Sequence, residues 1–251
     1  MIDSHIHLDD ARFDDDRAEL LTVAAKRGVE QFIVPAVQAS GFQKLYDLSL
    51  QYASIKPAYG LHPYWIATHQ DADLEFLDQW LQQYTAVALG ECGLDYYLKH
   101  LDKEKQRVFF EQQIVLAKEH QLPLILHVRG AVQDVFDLLK KHNYFKAVMH
   151  SFNGSVEQAQ QITAAGVYLG FGGAITYSRA TKLRTVVENV PLQYLMVETD
   201  APDQPVNTAV DALNRPENLL DVVEAMATIK NVEVAELAAM TRVNCQQLFG
   251  L

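Results

Sequence analysis

The chain has 251 residues, of which 49% are hydrophobic and 21% are charged; this length and balance fit one large globular domain, and α/β barrels commonly reach this size as a single unit. The formal net charge is −11, which excludes the broad basic surface of proteins that track the phosphates of long duplex DNA. Two cysteines form no disulfide framework, no apolar run is long enough to span a bilayer and no secretory signal opens the chain, so a cytoplasmic protein is expected.

The chain opens on the stretch MIDSHIHLDD, which places His5 and His7 two residues apart in an apolar run. Read as a β-strand, this stretch points Asp3, His5 and His7 to one face, because side chains alternate along a strand. Two imidazoles on one face can hold a single metal ion, whereas an isolated H-x-H pair is more often structural. The remainder of the chain decides between these two interpretations.

After the opening strand, short apolar runs alternate with amphipathic stretches along the whole chain. The predicted strands are EQFIVPAV, IKPAYGLHP, TAVALGECGL, LPLILHV, FKAVMHSF, GVYLGFGG and LQYLMVETDAP. The predicted helices cover residues 15–27, 103–120, 131–142, 155–165, 182–190, 217–230 and 234–249. Strand and helix repeated at this spacing indicate βαβ units around a parallel sheet. Residues 1–251 are therefore predicted to form one α/β domain, a (β/α)8 TIM-like barrel, with a doubly wound sheet as the alternative.

Active sites of such barrels lie at the C-terminal ends of the strands, so polar residues should cluster where the apolar runs stop. Metal-capable side chains do follow the predicted strands at these points. They are His5, His7, Glu91, His127, His150 and Asp200. One histidine at a strand end is usually structural, but this many coinciding strand ends predict a metal site at the barrel mouth.

The number of these side chains is larger than the number of ligands that one tetrahedral ion with an open position takes, so two divalent ions are expected. His5, His7 and Asp200 come from the first and last strands, which are neighbours in a closed barrel, and should hold one ion. The two histidines after the fifth and sixth strands should hold the other. Glu91 can bridge both ions through its two oxygens. Imidazole and carboxylate donors leave the metal open among Zn, Mn, Mg and Fe-like ions.

The sequence as a whole resembles the TatD family of metal-dependent deoxyribonucleases, within the amidohydrolase superfamily. The resemblance covers nearly the whole chain and rests on DSHIHLD, GLHP, GECGLDYY, LILHVR, HSFNGS, GGAIT, VETDAP and NCQQLFGL, in this order and spacing. It implies a TIM-like barrel with a metal site at the strand mouths, and the family's metal ligands fall on the strand-end residues named above. It also points towards trimming of nucleic acid from 3′ ends.

One segment departs from the family's pattern. Many members carry an R-N-E-P-like run before the penultimate helix, where this chain reads ALNRPENLLDVV after a short loop at residues 203–214. This segment should border the mouth of the site, so the departure bears on substrate choice. Relatives of the family have been linked to nucleic-acid ends and to aminoacyl-tRNA deacylation, and the resemblance by itself leaves that choice open.

Two further residues are predicted to contact the substrate. His62, in GLHPY after the third strand, can donate to a phosphate oxygen or to the leaving group, or else brace its loop. Arg129 shares the face of His127 and carries a guanidinium that suits a phosphate, with a structural role beside a carboxylate as the alternative. Asp95, in GLDYY, can orient a ligand histidine or cap a helix.

Aromatic residues follow several strand ends. Trp65, Tyr96 and Tyr97 can stack one or two unpaired bases at the mouth, although hydrophobic loop packing is the commoner role of such rings. The expected partner is therefore a nucleic-acid end or a small phosphoester substrate. The sequence gives evidence of neither a membrane partner nor an obligate protein partner.

The strand-end ligands, the family resemblance and the candidate phosphate-binding residues together predict a metal-dependent hydrolase that cleaves phosphodiester bonds with a metal-activated water. Asp200 and Glu91 are the expected catalytic residues: Asp200 takes the water's proton and gives it to the leaving group, and Glu91 bridges the ions. The favoured activity is 3′–5′ hydrolysis of single-stranded DNA ends. The alternatives are hydrolysis of another ester, lactone or amide, including an aminoacyl-tRNA ester, and a non-catalytic binding barrel.

Overall fold

The computed structural model describes residues 1–210 and 212–251, in which eight parallel strands form one sheet. The strands are β1 (Ile2–Asp3), β2 (Gln31–Pro35), β3 (Ile55–Tyr59), β4 (Ala88–Asp95), β5 (Leu124–Arg129), β6 (Ala147–Met149), β7 (Tyr168–Phe171) and β8 (Leu195–Val197). Their order in the sheet follows the chain, so each strand pairs in parallel with the next. All the strands predicted from the sequence are present.

The first and last strands also lie side by side. The amide of Ser4 donates to the carbonyl of Val197 at 3.0 Å, and the amide of Asp200 donates to the carbonyl of His5 at 2.9 Å. The strands therefore surround a closed interior, and the fold is the predicted TIM barrel. The doubly wound alternative is wrong, because such a sheet reverses its strand order in the middle and stays open.

Within the described residues, nine α-helices alternate with or follow the strands. They are α1 (Arg17–Lys26), α2 (Phe42–Gln51), α3 (Asp71–Gln83), α4 (Lys103–Glu119), α5 (Val132–His142), α6 (Val156–Ala164), α7 (Thr181–Asn189), α8 (Leu219–Lys230) and α9 (Val234–Phe249). Every helix named in the sequence prediction is present with small differences at its ends, and α2 and α3 complete the set. None of these described helices is long and apolar enough to cross a membrane.

The start of α6 illustrates how local sequence fixes an element beside the mouth. Ser155 Oγ accepts a hydrogen bond from the amide of Gln158 at 3.2 Å, and Gln158 Oε1 accepts one from the amide of Ser155 at 3.0 Å. This reciprocal pair satisfies two amides that the beginning of a helix leaves unpaired. The short loop that carries His150 therefore runs between the fixed ends of β6 and α6.

The barrel interior is filled with side chains rather than open. One buried cluster draws a residue from almost every strand together with the end of α9. Its members are Ile2, Ile33, Ala58, Ala88, Ile125, Val148, Met196, Cys245, Leu248 and Phe249, with Tyr168 of β7 packed against them. A filled interior leaves only the mouth accessible to a ligand, which is the usual arrangement in this fold.

Candidate metal centre

The strand-end residues predicted to hold metal converge on Glu91. Its Oε1 lies 2.8 Å from His150 Nε2 and 3.0 Å from His127 Nδ1. Its Oε2 lies 3.2 Å from His5 Nε2 and 3.5 Å from His7 Nε2. The two oxygens therefore face separate pairs of histidines, and each pair lies on the side that the sequence interpretation assigned to one ion.

Asp200 joins the first of these groups. Its Oδ1 lies 3.4 Å from His5 Nε2 and 3.5 Å from His7 Nε2, and the two imidazole nitrogens are 3.3 Å apart. Donor atoms of three such residues within one small volume are what a divalent ion needs. In the second group, His150 Nε2 and His127 Nδ1 are 3.4 Å apart.

Glu91 owes its position to an irregularity in β4. The register with β5 shifts between Leu89 and Cys92, so β4 carries an extra residue there. Such a bulge redirects side chains locally. Gly90, with φ +157°, occupies this bulge, where a Cβ would meet Ile125 at 2.7 Å. Only glycine fits there, and the residue after it turns its carboxylate into the cluster.

Asp3 does not share the cluster, although strand alternation predicted it on the same face as the histidines. Its Oδ2 accepts from Thr199 Oγ1 at 2.6 Å, and its Oδ1 accepts from the amides of Thr199 and His5 at 3.1 and 3.2 Å. β1 ends at Asp3 and the chain bends at Ser4 and His5, so the Asp3 carboxylate is held by Thr199 and the His5 amide, beside the proposed ligands. His5 and His7 converge nonetheless.

The charge state of Glu91 follows from its surroundings. Burial alone would raise the pKa of its carboxyl, but His62, His150, His5 and His127 hold that pKa well below its usual value. An ionised carboxylate inside a ring of imidazoles is an electron-rich donor set of the kind that binds divalent ions. The cluster therefore fits metal by its chemistry as well as by its geometry.

His62 packs directly against Glu91. Its Nδ1 accepts a hydrogen bond from the amide of Tyr64 at 2.9 Å, so in the neutral ring Nε2 carries the proton and donates to Glu91 Oε1 at 3.0 Å. Burial lowers the pKa of His62 to about 4. Both ring nitrogens of His62 therefore have partners, and the bond from Tyr64 to Nδ1 holds the loop that follows β3. His62 also lines the cavity above the cluster, and its contact with substrate stays a prediction.

Arg129 and Asp95 lie behind His127. Asp95 Oδ2 is 3.3 Å from His127 Nε2 and 3.9 Å from Arg129 Nη1. The Arg129 guanidinium stacks on the ring of Tyr97 at 4.0 Å, with half of the side chain exposed to the cavity. Asp95 thus supports His127, a candidate ligand. Arg129 approaches the carboxylate of Asp95, as in the structural role, and also lines the cavity, where it could meet a phosphate.

Three residues that the sequence interpretation did not single out contact the cluster. Gln204 Nε2 donates to Asp200 Oδ2 at 2.5 Å and to Ser151 Oγ at 2.9 Å. Glu198 is fully buried and accepts from the amide of Ser151 at 2.5 Å. Alternation along VETD could have indicated Glu198, two residues before Asp200. The other two depend on left-handed loop conformations, with φ of 46° at Ser151 and 49° at Gln204, which the sequence does not signal.

A cavity of about 850 Å³ opens above the cluster. Its walls carry three cationic side chains, Arg129, Arg179 and Lys182. The Arg179 guanidinium rests 4.9 Å from the ring of Tyr177, which repeats the stacking of Arg129 on its tyrosine. Arg129 ends β5 and Arg179 follows β7, and these are the two strands next to β6, which precedes His150. In a chain of net charge −11 these three cations share the cavity with the carboxylates of Glu91, Asp200 and Asp203.

The loop that departs from the family's pattern touches the site only at its beginning. Asp203 and Gln204 line the cavity, and the other described residues of 203–214 do not. Further along, the buried Asn214 donates to the carbonyls of Thr199 and Gln204 at 2.7 and 3.0 Å. This part of the segment supports the loop that carries Asp200 rather than bordering the cavity as expected.

The predicted aromatic residues surround the mouth without lining its cavity. Trp65 and Tyr97 are 38% and 63% exposed, and Tyr96 lies beneath the ammonium group of Lys103 at 4.6 Å. Tyr97 instead supports Arg129 from outside the cavity. Stacking of bases on these rings stays a prediction.

Comparison with known proteins agrees with this geometry. The family model described as TatD related DNase matches residues 2–250. An uncharacterized metal-dependent hydrolase, YjjV, from Escherichia coli K12 is 38% identical over 253 residues, which are 100% of this chain and 98% of that protein. The crystal structure of YjjV, a TatD homolog, superposes with a TM-score of 0.97 over 100% of this chain and 98% of that chain, at 37% identity.

A further relative carries a more specific name. The 3′-5′ ssDNA/RNA exonuclease TatD from Shigella flexneri is 30% identical over 258 residues, covering 100% of this chain and 99% of the relative. These matches extend over the full barrel, so the similarity includes every strand that contributes to the metal centre.

Proposed function

Because this chain belongs to the TatD-related family of metal-dependent hydrolases, we propose that it hydrolyses phosphodiester bonds at the 3′ ends of single-stranded DNA. The observation that carries the proposal is the divided environment of Glu91, whose two oxygens face separate pairs of histidines. One relative named as a 3′-5′ exonuclease on single-stranded DNA and RNA supports the choice of substrate.

The chain would hold two divalent ions. His5, His7 and Asp200 would bind one, the pair His127 and His150 would bind the other, and the bridging carboxylate described above would contact both. When bound, such ions polarise a phosphoryl oxygen and lower the pKa of an attacking water from about 15.7 towards about 7. Zn, Mn, Mg and Fe-like ions all remain compatible with a mixed imidazole and carboxylate set.

Asp200 would move the proton. Its Oδ2 is held by Gln204 at 2.5 Å while its Oδ1 faces the first two histidines, so the carboxylate has one fixed orientation in the cavity wall. From there it takes a proton from the attacking water and returns it to the leaving oxygen. General acid–base catalysis of this kind contributes typically about 10²–10⁴ in rate.

The cationic residues of the cavity favour an anionic substrate with more than one phosphate. Arg129 and Arg179 follow the strands next to β6 and both line the cavity, and each guanidinium is supported by a tyrosine ring. Guanidinium groups bind phosphates through paired, charge-assisted hydrogen bonds. A polynucleotide end offers phosphates next to the scissile bond that both can contact, whereas a neutral ester, lactone or amide offers none.

The shape of the molecule favours ends over internal sites. The barrel interior beneath the cluster is filled, so a strand can enter only from the mouth. A chain of net charge −11 is not expected to present an extended basic surface along which a duplex would lie. We therefore expect nucleotide-by-nucleotide removal from a free end rather than cleavage within a duplex.

The test compares a linear single-stranded oligonucleotide, the same sequence circularised, and a blunt duplex, each with Mg²⁺, Mn²⁺ or Zn²⁺ supplied. We expect mononucleotides from the linear strand, little from the duplex and none from the circle. A linear strand blocked at its 3′ end is the matched control for polarity. Equal cleavage of the circle and the linear strand would overturn end dependence. Activity confined to a small ester or amide would overturn the phosphodiester assignment.

A further inference from the structure

Glu198 is a buried acid directly behind one of the proposed ligands. Its side chain is wholly inaccessible to solvent, and its Oε1 accepts from the amide of Ser151 at 2.5 Å. The same oxygen lies 3.7 Å from Nδ1 of His150, the ring nitrogen opposite the one that faces Glu91. A buried carboxylate is costly unless it is paired, so its position requires an explanation.

One polar atom of each side chain lacks a hydrogen-bond partner. Among the described residues, neither Nδ1 of His150 nor Oε2 of Glu198 has a hydrogen-bond partner. Buried polar atoms are nearly always satisfied in folded proteins. A proton on His150 Nδ1 would face Glu198 Oε1, 3.7 Å away and just beyond hydrogen-bond distance, whereas Oε2 lies towards Gly170 and stays unpaired.

The neighbouring strand leaves space for this carboxylate. A Cβ added at Gly170 would lie 2.2 Å from Glu198 Oε2, and one at Gly172 would lie 3.4 Å from its Cγ. Gly170 is in β7, between the strands that precede His150 and Glu198. Any larger residue at position 170 would displace the acid from behind the histidine. The glycines of GVYLGFGG thus form a cradle for Glu198.

We infer that Glu198 is a positioning residue for the metal centre, acting through His150. A neutral imidazole donates from one nitrogen and accepts at the other, so a carboxylate behind Nδ1 places the proton there. The lone pair of Nε2 then faces Glu91 and the proposed ion. The inference rests on the proposed function only in assuming that His150 binds metal.

His127 shows the same device with the ring reversed. Asp95 lies behind its Nε2 at 3.3 Å, and its Nδ1 faces Glu91 at 3.0 Å. The two histidines of the second proposed ion therefore each have a carboxylate at the far nitrogen. Because opposite nitrogens are used, the two rings should carry their protons at different positions. The position of the proton on each ring can be measured, and a Glu198 that only filled space would not fix it on His150.

The experiment combines metal titration with nitrogen NMR of the full chain. Zn²⁺ is titrated calorimetrically into wild type, Glu198→Gln and Glu217→Gln. Glu217 is the matched control, because its Oε2 is also buried without a partner among the described residues but it does not line the cavity. We expect Glu198→Gln to weaken one of two Zn²⁺ sites about 10- to 100-fold, and Glu217→Gln to bind like wild type.

NMR of ¹⁵N-histidine-labelled wild type loaded with Zn²⁺ tests the geometry without any substitution. We expect His150 to be coordinated through Nε2 with its proton on Nδ1, and His127 to show the reverse. Coordination of His150 through Nδ1, or unchanged Zn²⁺ affinity in Glu198→Gln, would overturn the inference. If Glu198→Gln does not fold, Glu198→Asp, which keeps the charge but withdraws the carboxylate by one carbon, tests the same contact and should also weaken that site. Absence of Zn²⁺, Mn²⁺ and Mg²⁺ binding by wild type would instead overturn the proposed function.

Discussion

Oε1 of Glu91 lies 2.8 Å from Nε2 of His150, while the other oxygen of the same carboxylate is turned towards the start of the chain, 3.2 Å from Nε2 of His5. These histidines stack on each other with ring centroids 3.9 Å apart and planes within 9° of parallel. The Glu91 carboxylate thus contacts histidines that follow two strands far apart in the chain, β1 and β6.

Glu91→Gln should weaken binding at both proposed metal positions together. An amide presents one oxygen and no charge, so it can neither bridge two ions nor balance their charge. We expect the metal content per chain, measured by elemental analysis after dialysis against a fixed Zn²⁺ concentration, to fall at both positions. Loss of a single ion with the other fully retained would contradict the bridging role.

Asp200→Asn should reduce turnover much more than stability. The asparagine retains an oxygen that can accept from Gln204, so packing at the mouth is preserved, but it cannot take a proton. We expect kcat to fall by about 10²–10⁴, the usual contribution of general acid–base catalysis, with little change in melting temperature. The assay must be run at saturating metal. Near-normal kcat under that condition would remove Asp200 from the mechanism.

The candidate ligands could be predicted because barrel topology decides where strand ends meet. Residues near the C-terminal ends of parallel strands arrive at the mouth, so Glu91 and His127, within β4 and β5, and Asp200, after β8, were found from their place in the sequence alone. Asp3 was not among the predicted ligands, and its carboxylate accepts from Thr199 and from the amide of His5. The alternation rule applies only within regular strand, and the chain bends at Ser4 and His5 after β1 ends.

The supporting residues could not be predicted in the same way. Gln204 contacts Asp200 only because the loop takes a left-handed conformation at both residues, with φ of 49° and 53°. No strand or helix period describes such a loop. The orientation of His127, with Nδ1 towards the cluster, likewise depends on Asp95 across the β4–β5 pair, a tertiary contact that spacing along the chain does not encode.

Removal of metal should lower thermal stability. The cluster buries several imidazoles and two carboxylates, and ions that bind only the folded chain stabilise it by mass action. At a free ion concentration about 100 times Kd, one site contributes about 2.7 kcal/mol, which corresponds to roughly 5–10 °C in Tm for a domain of this size. Calorimetric scans with Zn²⁺ and with excess EDTA measure the difference. The Glu91→Gln variant is the control, because its Tm should respond little to EDTA. An equal response in both proteins would place the stabilising ion elsewhere.

Arg179→Ala and Arg129→Ala should each raise KM for an oligonucleotide more than they lower kcat. A hydrogen bond to a charged group contributes about 1.5–3 kcal/mol, so KM should rise by roughly 10- to 100-fold, with the pattern expected when ground and transition states lose the same binding. Arg242→Ala is the control, because Arg242 pairs with Glu30 and does not line the cavity. A large fall in kcat at unchanged KM for Arg129→Ala would point instead to disturbance of His127 through Asp95.

Affinity for single-stranded DNA should depend only weakly on salt. The binding constant of a single strand falls with log salt at a slope of about −0.7 for each phosphate contact. The cavity has the cations Arg129, Arg179 and Lys182 to offer, so a slope near about −2 is expected. Asp200→Asn permits the measurement by fluorescence anisotropy without turnover, and adding Arg179→Ala should make the slope shallower by about 0.7. A slope several times steeper would require phosphate contacts along an extended surface, and the end-bound arrangement would then be wrong.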